Sequence, residues 1–374
     1  MSEVARFSAA DHRHMARAIA LAWRGLYTTE PNPRVGCVLV QGDEVVGEGW
    51  HRYAGGPHAE VEALRQAGAR ARGAHAYVTL EPCNHHGRTG PCSEALLEAG
   101  VAAVTVAGRD SHPQAAGGLE RLREAGVAVR SGLMEAEAEA LNPGFFQRLR
   151  HARPYVRIKL AASLDGRTAM ASGESRWVTG AAAREDVHRL RARSSAIVTG
   201  VGTVLADDPA LTVRLADDPT AGRQPLRVVC DSRLRTPVTA RLLREPGQSL
   251  LVAAACGSEA VSGVALREAG AEVLFLPGRG GRIAPDHLLA ELAGRGCNEV
   301  LVEAGPTLAG SFVAAGLVDE LVLYLAPHLM GSAARGLFEL PGLAQMAQRI
   351  ALELDDLRQV GDDLRITARL KGEG

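Results

Sequence analysis

Lysine is almost missing from this chain. Of 42 basic residues only Lys159 and Lys371 are lysines, and the rest are arginines. No excess of one charge sign exists: 43 acidic residues leave a net charge of -1, and dividing the chain at residue 150 gives 16 basic and 17 acidic residues, then 26 and 26. Neither half has the strongly basic field with which a whole domain attracts nucleic acid. Long apolar runs are missing as well. None approaches the roughly 18 residues of a membrane span. The N-terminal stretch lacks the apolar segment of roughly 7–15 residues that a secretory signal needs. The expectation is a cytoplasmic protein with no nucleic-acid or membrane partner. Six cysteines in 374 residues are too sparse for a disulfide scaffold, so they read as metal ligands or small buried side chains.

What is present is a globular composition, 46% hydrophobic and 23% charged, in a length that suggests two domains. Helix periodicity runs from Asp11 to Arg24. Val35–Val40 and Val45–Gly49 flank Gly42-Asp43 as a hairpin. Helices then follow at His58–Ala67, Cys92–Ala99, Gly118–Ala125 and from Glu135, with strands at Ala76–Leu80, Val101–Ala107 and Val127–Arg130 between them. This alternation predicts a layered α/β domain. The basic segment Phe145–Pro154 reads as a boundary. Beyond it strands are expected at Tyr155–Ala162, Ala196–Thr199, Leu226–Cys230, Leu250–Ala254, Glu272–Leu276, Val300–Glu303, Leu321–Ala326 and Leu364–Leu370. Helices at Ala181–Arg193, Val261–Ala269, Asp286–Gly294 and Thr307–Ala315 make this a second α/β domain.

The sharpest motif is His58-Ala59-Glu60 followed by Pro82-Cys83 and Pro91-Cys92. One imidazole and two thiolates suit Zn²⁺ with a fourth position open to water, as in catalytic sites. Zinc brings the pKa of water towards about 7, and Glu60, at a helix start, is placed to shuttle the proton rather than to bind metal. Cys92 opens a helix, where the dipole favours a thiolate. The pattern resembles the zinc-dependent nucleobase deaminases, written H-x-E…P-C-x-x-C, except that eight residues, NHHGRTGP, separate the cysteines. The alternative is a closed structural site with His85 or His86 as fourth ligand, which leaves Glu60 without a task. His85, His86, Arg88 and Thr89 read as a phosphate clamp or as a solvated loop. Asn32, between Pro31 and Pro33, and His51, which closes the hairpin, are candidate substrate contacts or turn residues. Cys37, Cys230, Cys256 and Cys297 read as small buried side chains. His12, His14, His75 and His188 have no partner visible in the sequence.

In the second half Lys159 shares one face of its strand with Arg157. Lys can lose its charge when buried and Arg cannot, so a lone Lys among arginines is a candidate for chemistry, or chance. Gly200-Val201-Gly202 follows a strand, but it lacks the third Gly and the distal acid of a dinucleotide fingerprint. Val302 to Ser311 reads as strand, Gly-Pro turn and helix start, a ready phosphate site with Thr and Ser hydroxyls available, or an ordinary turn. Asp207 to Arg214 reads as a loop closing over a ligand, with Arg214 or Arg191 on a phosphate.

Taken together, TTEPNPRVGCVLV, PHAEVEAL, VTLEPCNHHGRTGPC, IKLAASLDGRTA, SGESRWVTG, TGVGTVLADDPALTVR, VEAGPTLAGS and GLVDELVLYLAP resemble the bifunctional deaminase/reductases of riboflavin biosynthesis over nearly the whole chain. The long gap between the cysteines is that family's form. Asn84 stands where Ser is usual and Gly90 where Pro is usual. The resemblance implies a cytidine-deaminase-like three-layer α/β domain over residues 1–150 and a dihydrofolate-reductase-like α/β domain over 151–374. It implies zinc-dependent hydrolysis of the 2-amino group of 2,5-diamino-6-(5-phosphoribosylamino)pyrimidin-4-one, then NADPH-dependent reduction of the ribosyl group to ribityl. By position, His58, Cys83 and Cys92 would hold zinc, and Glu60 would move the proton. Asn32, His51, His85 and Arg88 are the candidate deaminase substrate contacts. Ala161, Trp177, Thr203, Asp207, Ser232 and the stretch Gly305, Pro306, Thr307, Leu308, Ala309, Gly310 and Ser311 would contact NADPH. Ser175, Arg191, Leu211, Arg214 and Glu303 would contact the reductase substrate, with Lys159 and Asp165 doing polar work near the sugar. A homo-oligomer through the second domain is implied too. The rival readings are a tRNA or single-base deaminase fused to a binding domain, and a zinc-stapled interaction module without chemistry.

Overall fold

The structure, a computed structural model, describes residues 7–85, 90–110, 116–254 and 261–371. The chain divides into two compact units, Met1–His151 and Ala152–Gly374.

The first unit is built on a five-stranded sheet. Its strands are β1 (Gly36–Gln41), β2 (Glu44–Trp50), β3 (His75–Leu80), β4 (Ala103–Gly108) and β5 (Ala128–Ser131), in the order β2-β1-β3-β4-β5. β1 is antiparallel to both of its neighbours, and β3, β4 and β5 are parallel. The two-residue period of the strands sorts side chains to two faces. Val38, Val40 and Tyr77 pack with Met15, Ala18 and Leu21 of helix α1 (Ala9–Ala22). Cys37, Leu39, Val78 and Val104 face α2 (Ala59–Ala67), α3 (Cys92–Glu98) and α4 (Gly118–Glu124). A helix layer on each face makes three layers.

Helix α1 starts two residues before the periodicity suggests, because Ser8 and Asp11 form a reciprocal capping box. Glycine sets the distance of α2 from the sheet. A Cβ on Gly49 would stand 2.2 Å from the Ala59 carbonyl oxygen. Only hydrogen at this position lets the helix that begins beside His58 seat on β2.

The expected boundary segment is in fact helical. After α5 (Glu135–Glu139), Pro143–His151 is the helix α6, whose Phe145 and Phe146 are buried against Leu80, with Val35 and Leu149 packed beside them. The Asn142 amide, just before it, accepts from the Arg34 N–H at 2.8 Å and donates to the Arg34 carbonyl at 2.9 Å. The division between the two units, after His151, falls within the segment, and its basic side chains hid an apolar anchor.

The second unit has a nine-stranded sheet. Its strands are β6 (Tyr155–Ser163), β7 (Ala196–Gly200), β8 (Leu226–Cys230), β9 (Ser249–Ala254), β10 (Glu272–Leu276), β11 (Glu299–Val302), β12 (Glu320–Ala326), β13 (Leu352–Val360) and β14 (Asp363–Leu370). The order is β10-β9-β8-β7-β11-β6-β12-β14-β13. All pairs are parallel except β12 with β14 and β14 with β13. Val156, Ile158 and Leu160 enter a core with the helices Pro285–Gly294 and Pro306–Ala314. The alternate residue Ala161 packs on the other face with Ala183, Val187 and Leu190 of α7 (Ala181–Arg193). Lys159, two residues earlier, therefore lies on the α7 side.

Several elements escaped the periodicity. β13 is exposed along almost its entire length, so no contrast between buried and exposed positions marks it. The glycine-bearing stretch after β7 is the helix Val201–Asp207.

Candidate active sites

The three proposed zinc ligands come from separate elements. His58 is the N-cap of α2, Cys92 is the first residue of α3, and Cys83 lies in the loop after β3. Folding brings them together: the His58 Nδ1 is 3.3 Å from the Cys92 Sγ and 3.4 Å from the Cys83 Sγ. All three donor atoms lie within 4.8 Å of one another. In a tetrahedral zinc site an N–S edge is about 3.5 Å, from Zn–N and Zn–S bonds of about 2.05 and 2.3 Å. The donor set and its spacing therefore fit zinc. Cys83 is pulled towards thiolate by the hydrogen bond to Cys92, against the effect of its burial, and His58 and the Cys92 N–H add to this.

Glu60, in the first turn of α2, is buried beside the Cys92 thiol. Burial pushes its carboxyl up to about 7, with the neighbouring His58 pulling the other way. A group poised near neutrality can both hold and release a proton.

His51 and Asn32 join the same cluster. The His51 ring meets His58 edge-on with centroids 5.4 Å apart. Its Nδ1 lies 3.0 Å from the Pro57 carbonyl and its Nε2 3.2 Å from the Asn32 amide nitrogen. Burial lowers the His51 pKa. A neutral ring that donates from Nδ1 accepts at Nε2, so the Asn32 amide donates to it and leaves the Asn32 carbonyl oxygen for another partner. His85 is exposed. Arg88, His86 and Thr89 lie outside the described residues, as does Cys256. Of the other cysteines, Cys37 and Cys297 are buried and Cys230 is half-buried.

Sequence reasoning missed Glu81, which is buried immediately before Pro82-Cys83. Its carboxylate accepts backbone N–H groups from Asp110 (3.3 Å), Gly117 (3.0 Å) and Leu119 (3.2 Å), tying the Cys83 loop to the start of α4. An acid directly ahead of a ligand pair was the available signal.

In the second unit, β7 and β11 are adjacent and parallel, and their strand-to-helix turns lie side by side. The Thr199 hydroxyl donates to the Glu303 carbonyl at 2.7 Å, and a Cβ on Gly200 would touch Leu308 at 3.6 Å. This is where the strand order reverses, the usual ligand crevice of an open α/β sheet. Gly305 caps the helix Pro306–Ala314. The hydroxyls read as available there are engaged: Thr307 donates to Glu339 and Ser311 to the Leu308 carbonyl. The backbone N–H groups at the helix start are able to donate to an anion.

Ser175 and Asp207 come together as well. The Ser175 hydroxyl is 3.5 Å from the Asp207 carboxylate, and the Arg176 guanidinium donates to the Asp207 carbonyl. Trp177 is 71% exposed, with the Arg184 guanidinium 4.6 Å from its ring centroid. Thr203 sits in the helix after β7, and Ser232 follows β8.

Arg191, on α7, forms a bidentate pair with Glu303 at 2.6 and 2.9 Å and donates to the Thr212 carbonyl at 3.1 Å. Lys159 faces this pair: burial lowers its pKa, Glu303 supports its charge and Arg191 opposes it. Arg214 forms no ion pair among the described residues. Burial and the cations Arg191 and Arg241 push its pKa below the usual arginine value, so it is the cation that an anionic ligand would relieve. Asp165 is already committed. It accepts from Ser163 at 2.5 Å and from the Met330 and Gly331 N–H groups, which hold it ionised with a pKa of about 2. No helix among the described residues is long and apolar enough to cross a membrane.

Comparison with known proteins supports both halves. Residues 8–108 match the family model of the cytidine and deoxycytidylate deaminase zinc-binding region, and residues 154–366 match that of the RibD C-terminal domain. The Escherichia coli (strain K12) riboflavin biosynthesis protein RibD is 50% identical over 364 residues, covering 95% of this chain and 98% of that protein. The Haemophilus influenzae protein of the same name is 47% identical over 376 residues, covering 98% and 99%. Acinetobacter baumannii RibD matches in structure with a TM-score of 0.88 at 46% identity, covering 97% of this chain and 99% of that one. A Thermotoga maritima diaminohydroxyphosphoribosylaminopyrimidine deaminase/5-amino-6-(5-phosphoribosylamino)uracil reductase matches at 0.85 and 30% identity, with the same coverage.

Proposed function

Because the chain belongs to the RibD family, the bifunctional deaminase/reductases of riboflavin biosynthesis, we propose that its two units act in turn on one phosphorylated pyrimidine. Residues 1–150 would remove the 2-amino group of 2,5-diamino-6-(5-phosphoribosylamino)pyrimidin-4-one. Residues 151–374 would reduce the ribosyl group of the product to ribityl. The observation that carries the reading is the convergence of His58, Cys83 and Cys92 beside a buried acid.

His58, Cys83 and Cys92 would hold the zinc ion. When bound, zinc supplies Lewis acidity that makes water nucleophilic near neutral pH. Glu60 would take one proton from the attacking water at a carboxylate oxygen and deliver it to the ring nitrogen, then take the second from the hydroxyl left on the ring carbon and deliver it to the leaving amine. Asn32, oriented by His51, offers its carbonyl oxygen to an N–H of the pyrimidine.

In the second unit Ala161, Trp177, Thr203, Asp207, Ser232 and the stretch Gly305 to Ser311 would hold NADPH, the side-by-side turns after β7 and β11 supporting the phosphates. When bound, NADPH supplies the hydride. Lys159 stabilises or protonates the charge that develops on the opened sugar. Glu303 and Arg191 position Lys159, while Ser175 and Leu211 line the substrate. Arg214, rather than the already paired Arg191, takes the phosphate. Asp165 acts through the loop that it fastens.

The test is to incubate the purified protein with the diaminopyrimidine phosphate. Ammonia release without NADPH, and a ribityl product only with it, are the expected outcomes. Failure to release ammonia from a zinc-loaded sample would refute the reading, as would reduction by NADH alone for the cofactor.

We assign a homo-oligomer to the second unit. β13 is an unpaired sheet edge whose Leu354 and Leu357 are 62% and 60% exposed, next to an apolar hollow lined by Val313, Phe338, Leu340 and Ile350. Sedimentation should give a dimer or larger species that Leu357→Asp shifts towards monomer. A wild-type monomer at micromolar concentration would refute the assignment.

A further inference from the structure

The loop around Arg214 is held in an unusual way. Its segment Thr212 to Arg214 belongs to no strand, and side chains from outside the loop fix it. Arg191 donates to the Thr212 carbonyl at 3.1 Å. The Gln224 amide accepts from the Val213 N–H at 2.7 Å and donates to the Val213 carbonyl at 3.3 Å. The Arg214 N–H donates to the Nδ1 of His188 at 3.2 Å. Leu211, just before, has a φ of +51°, a left-handed conformation that a bulky residue keeps only where its surroundings impose it. His188 and Arg191 lie three apart on α7 and so project together over the loop.

We propose that His188 is a positioning residue of the reductase: by accepting the main-chain N–H of Arg214 it aims that guanidinium at the substrate's phosphate. The inference rests on the reading that Arg214 takes the phosphate.

The chemistry of the ring suits the task. An imidazole that accepts at Nδ1 carries its proton on Nε2, and a doubly protonated ring has no acceptor left. His188 is half-buried, and burial, with Arg191 and Arg214 nearby, brings its pKa down to about 4. The acceptor therefore persists at neutral pH. The Arg214 guanidinium also donates to the Thr212 hydroxyl at 2.8 Å, so its direction depends on the main chain that His188 and Arg191 hold.

The test compares His188→Leu, which removes the acceptor and keeps the bulk, with His188→Asn, whose side-chain oxygen can stand where Nδ1 does. Both are assayed as the full chain for deamination, and for reduction of the deaminated intermediate in its phosphorylated and dephosphorylated forms. His188→Leu should raise KM for the phosphorylated compound about tenfold, the scale of one lost hydrogen bond. Its kcat, its KM for the dephosphorylated compound and its deamination should stay unchanged. His188→Asn should restore most of the loss. A KM rise equal for both compounds, or no rise, overturns the proposal, because a general structural defect would not depend on the phosphate. If the Leu variant loses the reductase melting transition, His188→Gln replaces it, with a smaller rise expected in the same phosphate-dependent pattern; no such pattern overturns the proposal. Arg214→Ala separates the two claims. If it raises KM only for the phosphorylated compound while His188→Leu does not, positioning fails and the phosphate reading stands. If Arg214→Ala leaves that KM unchanged, the reading fails and the proposal falls with it.

Discussion

Replacing Glu60 with Gln is expected to lower ammonia release by about 10²–10⁴-fold, the usual contribution of a positioned general acid–base group. Zinc content should not change, because the proposed ligand atoms belong to His58, Cys83 and Cys92. Reduction of the deaminated intermediate by the same preparation should also be unchanged, since that chemistry is assigned to the other unit. The substitution is nearly isosteric, and Glu60 is buried in the first turn of α2, so the fold has little reason to move. An amide keeps a donor and an acceptor but cannot take a proton near neutral pH. The measurement is steady-state ammonia production with metal analysis of the same sample. Release at the normal rate would remove Glu60 from the mechanism.

Lys159→Arg should do the converse, lowering ribityl formation by about 10²–10³-fold, the scale of losing one group that stabilises developing charge. Deamination should be intact. The substitution keeps the charge, so a loss would show that charge alone does not suffice. Arginine is longer and planar and stays protonated, whereas a buried lysine can give up its proton. The space is restricted as well: Lys159 faces an ion pair of Arg191 with Glu303, and a second guanidinium would compete for Glu303. Reduction is followed as NADPH oxidation with the deaminated compound supplied directly. Equal rates for wild type and Lys159→Arg would refute the role of Lys159.

Much of the first site was legible because its chemistry is dense in sequence. A His-x-Glu and two Pro-Cys pairs are rare together, and each sits where an element begins or a strand has just ended. The second site was harder to read. Its residues are common types spread from Lys159 to Ser311, and their roles came from resemblance, not from spacing. Arg191 and Arg214 looked equivalent as phosphate ligands until the fold paired the first with Glu303 and left the second without an ion pair among the described residues. Asp165 looked free for polar work until Met330 and Gly331 appeared as its partners. Both distinctions depend on contacts between residues more than 100 positions apart, which local patterning does not encode.

By itself the sequence determined the two α/β units and most of their strands and helices, and it singled out His58, Cys83 and Cys92 as the candidate ligand set. These follow from periodicity and residue chemistry, which are local properties. Tertiary structure alone decided that the boundary segment begins in a docked helix at Phe145, that Leu352–Val360 is an exposed edge strand, and that His188 has a partner after all. A histidine carries no periodic signature, and its acceptor atom finds the Arg214 N–H only when α7 and a distant loop are packed together. The scarcity of lysine falls between the two. Sequence marked Lys159 as unusual, but only the sheet, by putting it opposite Glu303 and Arg191, supplied surroundings in which a lysine and an arginine behave differently.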